Sequence, residues 1–172
     1  VHAEGRAARA AVERAREQVA ALAGVRPEGV VFTSGGTEAC ALALAPGFGG
    51  AAEGGAVLLA GAAEHVCVLD GHRFPADRVL IVAVDGDGRL DLDHLAEQLR
   101  TAAGARPLLA LQVANNETGV IQPLAAAAEQ VRAAGGFVVA DAVQAAGRMP
   151  LRPCALSADA LVLSAHKIGG PK

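Results

Sequence analysis

The feature that most constrains this chain is an alternation of short, continuous apolar runs with longer stretches of helical periodicity. Residues 56–60 (AVLLA), 107–114 (PLLALQVA) and 137–141 (FVVAD) are apolar almost throughout, not at every second position. Runs of this kind are typical of strands buried on both faces, as in a parallel sheet covered by its crossover helices. The sequence therefore predicts an α/β fold with a mainly parallel sheet flanked by helices.

The other predicted elements continue this alternation. Further strands are predicted at 29–34, 78–85 and 158–164, and Asp91 stands where it would cap a helix. Helices, some preceded by a loop, are predicted within 6–24, 35–45, 64–73, 91–104 and 124–136, and residues 46–55 are predicted to form a surface loop.

Composition and charge exclude several classes of partner. Only 2% of the residues are aromatic, whereas proteins that bind single-stranded nucleic acids use aromatic stacking platforms. The net charge of −3 provides no basic surface for DNA or RNA. No apolar run reaches the roughly 18 residues that span a bilayer, and no signal peptide is visible. We expect a cytoplasmic protein that binds neither nucleic acid nor membrane.

The cysteines predict neither a disulfide framework nor a metal site. Cys40, Cys67 and Cys154 are far apart, and an odd number without paired spacing matches neither pattern. Each is interpreted as a small buried hydrophobic residue, as free cysteines commonly are.

Polar side chains follow the predicted strands. In parallel sheets, ligands bind at the carboxyl ends of the strands, so these positions are candidates for a site. They are Thr33, Thr37, Glu64, His65, Asn115, Asn116, Asp141, Gln144, Ser164, His166 and Lys167.

Lysine is nearly absent from the chain. Of the 15 basic residues, only Lys167 and Lys172 are lysines. Ser164 and His166 can donate hydrogen bonds to a phosphate, and the Lys167 amine can form a Schiff base with an aldehyde, which arginine cannot do. The alternative is a solvated lysine on a loop.

The other candidates also have structural interpretations. The glycines and threonine of residues 34–39 (SGGTEA) could bind phosphate at a helix N-terminus or form an ordinary capped turn. Asp141 could be a metal ligand, a cap or the partner of a heterocyclic nitrogen. His65 could pack or cap a helix, and Asn115 and Asn116 could form a turn or orient a carboxylate.

Six stretches, in order over nearly the whole chain, resemble the class V aminotransferase family. Within that family they are similar to the cysteine desulfurases, which supply sulfur for iron–sulfur clusters and other thio-cofactors. The resemblance implies the large domain of the fold type I transferases that depend on pyridoxal 5′-phosphate (PLP). The stretches are HxxGR at 2–6, VVFTSGGTEA at 30–39, EHVCVLD at 64–70, NNETGVIQP at 115–123, DAVQAAGRMP at 141–150 and LSAHKIGGPK at 163–172.

The same resemblance implies roles for individual residues. Lys167 matches the Schiff-base lysine, Asp141 the aspartate that keeps the pyridine nitrogen protonated, and His65 the histidine that stacks on the ring and transfers protons. Gln144 matches the residue bonded to the phenolic oxygen, and Asn116 the asparagine near that oxygen and the substrate carboxylate. The phosphate cradle is matched by Gly36, Thr37, Ser164, Ala165 and His166.

The resemblance also implies what residues 1–172 lack. In the family, the persulfide-forming cysteine and the arginine that binds the substrate carboxylate lie beyond the matched region. We therefore expect a truncated PLP-binding large domain, without the N-terminal segment and the C-terminal small domain, that is inactive alone.

The implied activity of the full-length protein converts L-cysteine to L-alanine and an enzyme-bound persulfide. A homodimer and sulfur-acceptor or scaffold partners are expected with it. Two alternatives remain open: another member of the family, such as a selenocysteine lyase, and a nucleotide-binding or structural α/β module without a Schiff base.

Overall fold

The computed structural model describes residues 2–50 and 55–170, which divide into two compact units, Val1–Phe32 and Thr33–Lys172. The first unit contains helix α1, Ala3–Ala23, which ends where Gly24 takes the left-handed conformation (φ 72°) that glycine adopts without strain. Among the described residues, no helix is both long and apolar enough to cross a membrane.

The predicted strand at 29–34 is wrong. Pro27–Gly29 form a 3-10 turn, and the residues that follow are extended but belong to no strand. The carbonyl of Val30 accepts a hydrogen bond from the Arg16 side chain, and the Arg16 guanidinium lies 5.0 Å from the centre of the Phe32 ring. This segment is thus held by the Arg16 side chain and not by hydrogen bonds to a neighbouring strand. Phe32 is 47% exposed, unlike a residue of a strand covered on both faces.

The second unit alternates helices and strands as the sequence predicts. All four strand pairings are parallel, which confirms the predicted parallel sheet. The elements are α2 (Gly36–Ala43), β1 (Ala56–Gly61), α3 (Val66–Leu69), β2 (Val79–Val82), α4 (Leu92–Thr101), β3 (Arg106–Gln112), α5 (Leu124–Ala133), β4 (Phe137–Asp141), α6 (Arg152–Ser157) and β5 (Ala160–Val162).

The strand order is β2-β1-β3-β4-β5. The chain passes from β1 to β2 on one side and then returns to place β3 on the other side of β1. The direction of winding therefore reverses between β1 and β3, and parallel sheets bind ligands at the carboxyl ends of strands beside such a reversal.

Both faces of the sheet are covered within the second unit. Leu58 and Leu108 belong to the core formed with α2 and α3, whereas Leu59 and Leu109 belong to the core formed with α4, α5 and α6. Successive residues of one strand thus enter opposite cores, which explains the continuous apolar runs.

Two helices show what the sequence did and did not predict locally. The predicted cap at Asp91 is confirmed, because its carboxylate accepts hydrogen bonds from the backbone N–H groups of Asp93 and His94, at 2.9 and 3.0 Å. Helix α6 was not predicted, because its six residues are too few to show a helical period.

Candidate functional site

A cavity of about 220 Å³ opens at the carboxyl edge of the sheet, within the second unit. Its walls come from the segments that follow β1, β3, β4 and β5 and from the start of α2. The lining residues are Gly36, Thr37, His65, Cys67, Gln112, Ala114, Asn116, Asp141, Val143, Gln144, Ser164, His166 and Lys167.

The cavity collects nine of the ten site residues predicted from the sequence. The tenth, Ala165, does not line it. The Ala165 carbonyl instead accepts hydrogen bonds from the N–H groups of Ile168 and Gly170, at 3.0 and 2.8 Å, and so closes the turn that carries Lys167. Thr33, Glu64 and Asn115 also follow predicted strands but do not line the cavity.

One end of the cavity gathers hydrogen-bond donors. The first i→i−4 bond of α2 runs from the Ala39 N–H to the Gly35 carbonyl, so the N–H groups of Gly36 and Thr37 lack helical acceptors. Ser164 is close to them, since a Cβ on Gly36 would lie 3.7 Å from the Ser164 Cβ. The Ser164 hydroxyl is in turn 2.8 Å from the Nδ1 atom of His166. Such a set of donors at a helix N-terminus suits an anion, above all a phosphate.

Asp141 presents a carboxylate at the end of β4. Its Oδ1 atom accepts one hydrogen bond, 2.9 Å long, from the Val143 N–H. Burial raises the pKa of the Asp141 carboxyl, and that backbone bond and the nearby His65 oppose the shift only in part. A buried carboxylate of this kind would be stabilised by a cationic N–H group in the cavity.

His65 both caps a helix and lines the cavity. Its Nδ1 atom accepts a hydrogen bond, 3.1 Å long, from the Cys67 N–H at the start of α3. An accepting Nδ1 places the proton of a neutral imidazole on Nε2, which leaves Nε2 as the donor. The capping interpretation is therefore correct, and it is compatible with a role in the cavity.

The main chain holds Lys167 in place. Its N–H donates to the Ser164 carbonyl at 3.1 Å, and its own carbonyl accepts from the Arg148 guanidinium at 3.4 Å. Within the described residues, the Lys167 amine makes no hydrogen bond or ion pair. Lys172, the other lysine, lies outside the described residues.

A buried polar bridge ties the ends of β1 and β3 behind the cavity. The Glu64 Oε1 atom accepts a 2.8 Å hydrogen bond from the backbone N–H of Gln112. The side-chain amide of Gln112 donates to the Ala63 carbonyl at 2.7 Å. Burial raises the pKa of the Glu64 carboxyl well above its ordinary value, which favours its protonated form.

Four lining residues were not among the sequence candidates: Cys67, Gln112, Ala114 and Val143. Gln112 could have been found from the sequence, because it is the one polar residue in the apolar run of residues 107–114. Cys67 was expected to be a buried hydrophobic residue; it does pack against the core, but it is only half-buried and lines the cavity. Cys40 and Cys154 are buried, as expected.

Comparison with known proteins identifies the family. The model of the class V aminotransferases matches residues 1–172. This chain belongs to the class V aminotransferase family. A cysteine desulfurase of Frankia sp. (strain EuIK1) is 41% identical to it, over 99% of this chain and 43% of that relative.

Solved structures of the family share the fold. A NifS-like protein from Rickettsia africae ESF-5 matches 100% of this chain and 47% of its own length, with a TM-score of 0.88 and 31% identity. A structure described as SspA in complex with cysteine matches 100% of this chain and 50% of its own, with a TM-score of 0.82 and 28% identity. The chain thus spans half or less of the length of these three proteins.

Proposed function

We propose that this chain forms the cofactor-binding part of a PLP-dependent cysteine desulfurase. The observation that carries the proposal is the meeting of Lys167, Asp141 and the phosphate-type donors in one cavity. Relatives named cysteine desulfurase over the whole chain, and a structural relative described with bound cysteine, support L-cysteine as the substrate.

The residues present fit PLP. The donors at Gly36, Thr37, Ser164 and His166 suit its phosphate, and the buried Asp141 carboxylate suits its pyridinium nitrogen. The Lys167 amine, which has no partner among the described residues, suits a covalent bond to its aldehyde. When bound, PLP would supply a protonated ring that withdraws electron density from the α-carbon of the substrate.

Each side chain then has a separate task. Asp141 would hold a proton at the ring nitrogen, and the Lys167 amine would anchor the cofactor and could move a proton at the substrate. His65, whose Nδ1 accepts from the Cys67 N–H, would cover the ring and could transfer a proton through Nε2. Gln144 and Asn116, which line the cavity, would orient the ring oxygen and the substrate carboxylate by hydrogen bonding.

The proposal extends to the protein that contains this chain. It converts L-cysteine to L-alanine and passes the sulfur, as a persulfide, to acceptor or scaffold proteins. We further propose that it acts as a homodimer in the cytoplasm.

Alanine release from L-cysteine tests the activity, measured on the full translation product that contains residues 1–172. We expect cysteine-dependent alanine with PLP, a loss of at least about 100-fold for Lys167→Ala and no loss for Lys172→Ala. Equal activity of the Lys167→Ala and wild-type proteins, or an absence of alanine from the wild type, would contradict the proposal. Parallel assays with L-selenocysteine separate this function from that of a selenocysteine lyase.

A further inference from the structure

Two cysteines lie side by side at the wall of the cavity. The sulfurs of Cys40, on α2, and Cys67, on α3, are 3.6 Å apart, and neither cysteine is in a disulfide. The third cysteine, Cys154, belongs to the core on the opposite face of the sheet. The chain therefore contains one thiol pair and one isolated thiol.

The two members of the pair differ in access. Cys40 is 1% exposed and belongs to the core, whereas Cys67 is half-buried and lines the cavity. A small solute that enters the cavity meets the sulfur of Cys67 first. The sulfur of Cys40 is the next sulfur behind it.

The pair is also polarised. The hydrogen bond between the two thiols, with a smaller contribution from His65, lowers the pKa of Cys67 to about 6, although burial and the nearby Asp141 carboxylate oppose the shift. The same hydrogen bond, together with burial, raises the pKa of Cys40. The two shifts thus run in opposite directions, with the pKa lowered at the accessible sulfur and raised at the buried one. Accessible thiolates next to a second thiol are the cysteines that oxidants attack selectively.

We propose that Cys67 and Cys40 form a peroxide-oxidisable dithiol that closes to a disulfide in the wall of the cavity. The Cys67 sulfur attacks the peroxide, forming an S–O bond while the O–O bond breaks and hydroxide leaves as water. The Cys40 sulfur then attacks the Cys67 sulfur, forming the S–S bond while the S–O bond breaks and a second water leaves. Overall, two thiols lose two protons and two electrons, and one peroxide becomes two waters.

The two sulfurs start close to bonding distance. The sulfurs must approach from 3.6 Å to the roughly 2.0 Å of a disulfide. An Asp141 carboxylate oxygen lies within 4.8 Å of both sulfurs. A chelator in every buffer keeps metal-catalysed oxidation out of the test.

The test uses the 172-residue chain, limiting hydrogen peroxide and a chelator, followed by alkylation of the remaining thiols without reductant. Digestion after glutamate separates the two cysteines, because Glu53 and Glu64 lie between them. We expect peptides 39–53 and 65–97 to be recovered as one disulfide-linked pair, while Cys154 stays alkylated. The linked pair should form at least about tenfold faster than Cys154 is oxidised.

Three variants complete the design, each compared with the wild type by circular dichroism. Cys154→Ser is the matched control and should form the same linked pair at the same rate. Cys40→Ser and Cys67→Ser should form no linked pair, and Cys40→Ser should leave a sulfenic acid on Cys67 that a dimedone probe traps. Oxidation of Cys154 as fast as Cys67 in the wild type, or oxidation of Cys67 without a bond to Cys40, would overturn the proposal.

Discussion

At the scale of residues, several cavity side chains serve the local structure and the proposed site at once. His65 caps α3 through Nδ1, and Asp141 accepts from the Val143 N–H through Oδ1. Each keeps a second polar atom for a ligand. Substitutions that keep the first contact and change the second therefore separate the two roles.

Asp141→Asn is such a substitution. Asparagine can still accept from the Val143 N–H, so the fold should persist, but it has no charge to hold a proton on a ring nitrogen. In the full translation product we expect alanine release to fall by at least about 100-fold. The matched control is Asp159→Asn, because the Asp159 carboxylate accepts a 2.8 Å bond from the Val138 N–H at the other end of β4. Near-normal turnover of Asp141→Asn would show that Asp141 is only a cap.

The reactivity of Cys67 should depend on pH in an unusual way. Because its pKa is lowered to about 6, its thiolate persists well below the pH of about 8.5 at which ordinary thiols ionise. The alkylation rate of Cys67 by iodoacetamide should be half-maximal near pH 6. Cys154, whose pKa burial raises, should need alkaline pH.

Cys40→Ala tests the cause of this shift. It removes the hydrogen bond that lowers the pKa, so the midpoint for Cys67 should move upward, whereas Cys154→Ala should leave it in place. A midpoint at ordinary thiol values in the wild type would refute the polarised pair.

Most of the site could be predicted at this scale because the chemistry restricts the residue types. Lys167 stands out since arginine cannot form an imine, and Asp141 since a carboxylate ends an apolar strand. Cys67 could not be predicted, because its relevance depends on Cys40, which is 27 positions away in the sequence. Only the packing of α2 against α3 brings the two sulfurs together.

At the scale of elements, the bridge from Glu64 to Gln112 ties β1 to β3 where the sheet reverses its winding. Burial raises the pKa of Glu64, so its contribution to stability is present below the ordinary pKa of 4.5 and is lost as the pH rises through the folded-state value. The loss is about 1.4 kcal/mol for each unit by which the folded pKa exceeds the unfolded one.

Glu64→Gln should remove this pH dependence. Glutamine resembles the protonated carboxyl, keeps an Oε1 acceptor for the Gln112 N–H and does not ionise. Above pH 4.5, the free energy of unfolding of the wild type should fall progressively relative to the variant, as measured by urea denaturation. Glu129→Gln, at an exposed position of α5, is the control and should follow the wild type. A constant difference between Glu64→Gln and wild type at all pH values would contradict a raised pKa of Glu64.

Strands were predictable from the sequence where their apolar pattern agrees with their pairing in the sheet. Strands β1, β3 and β4 have continuous apolar runs and pair within the sheet, so pattern and packing give the same answer. The apolar run at 29–34 has a strand composition, but the Val30 carbonyl bonds to an arginine side chain. A high strand propensity means that residues fit a pleated surface. A strand forms only where a neighbouring strand is available to pair with it.

At the scale of the whole molecule, the sequence predicts the α/β class but not the order of the strands. Alternating strands and helices require parallel pairing, whereas the order β2-β1-β3-β4-β5 depends on which side each crossover takes. That order matters for the proposed function, because it brings His65, Asn116, Asp141 and Lys167 to one edge. Their positions in the sequence span about a hundred residues, and the reversal beside β1 unites them.

The central claim is that this cavity binds PLP through Lys167. The most direct measurement is to incubate the chain with PLP, reduce it with borohydride and locate the pyridoxyl group by peptide mass mapping. We expect labelling at Lys167, which Lys167→Ala abolishes and Lys172→Ala leaves intact. Labelling mainly at Lys172 or at the N-terminal amine, or equal labelling of the Lys167→Ala variant, would contradict it.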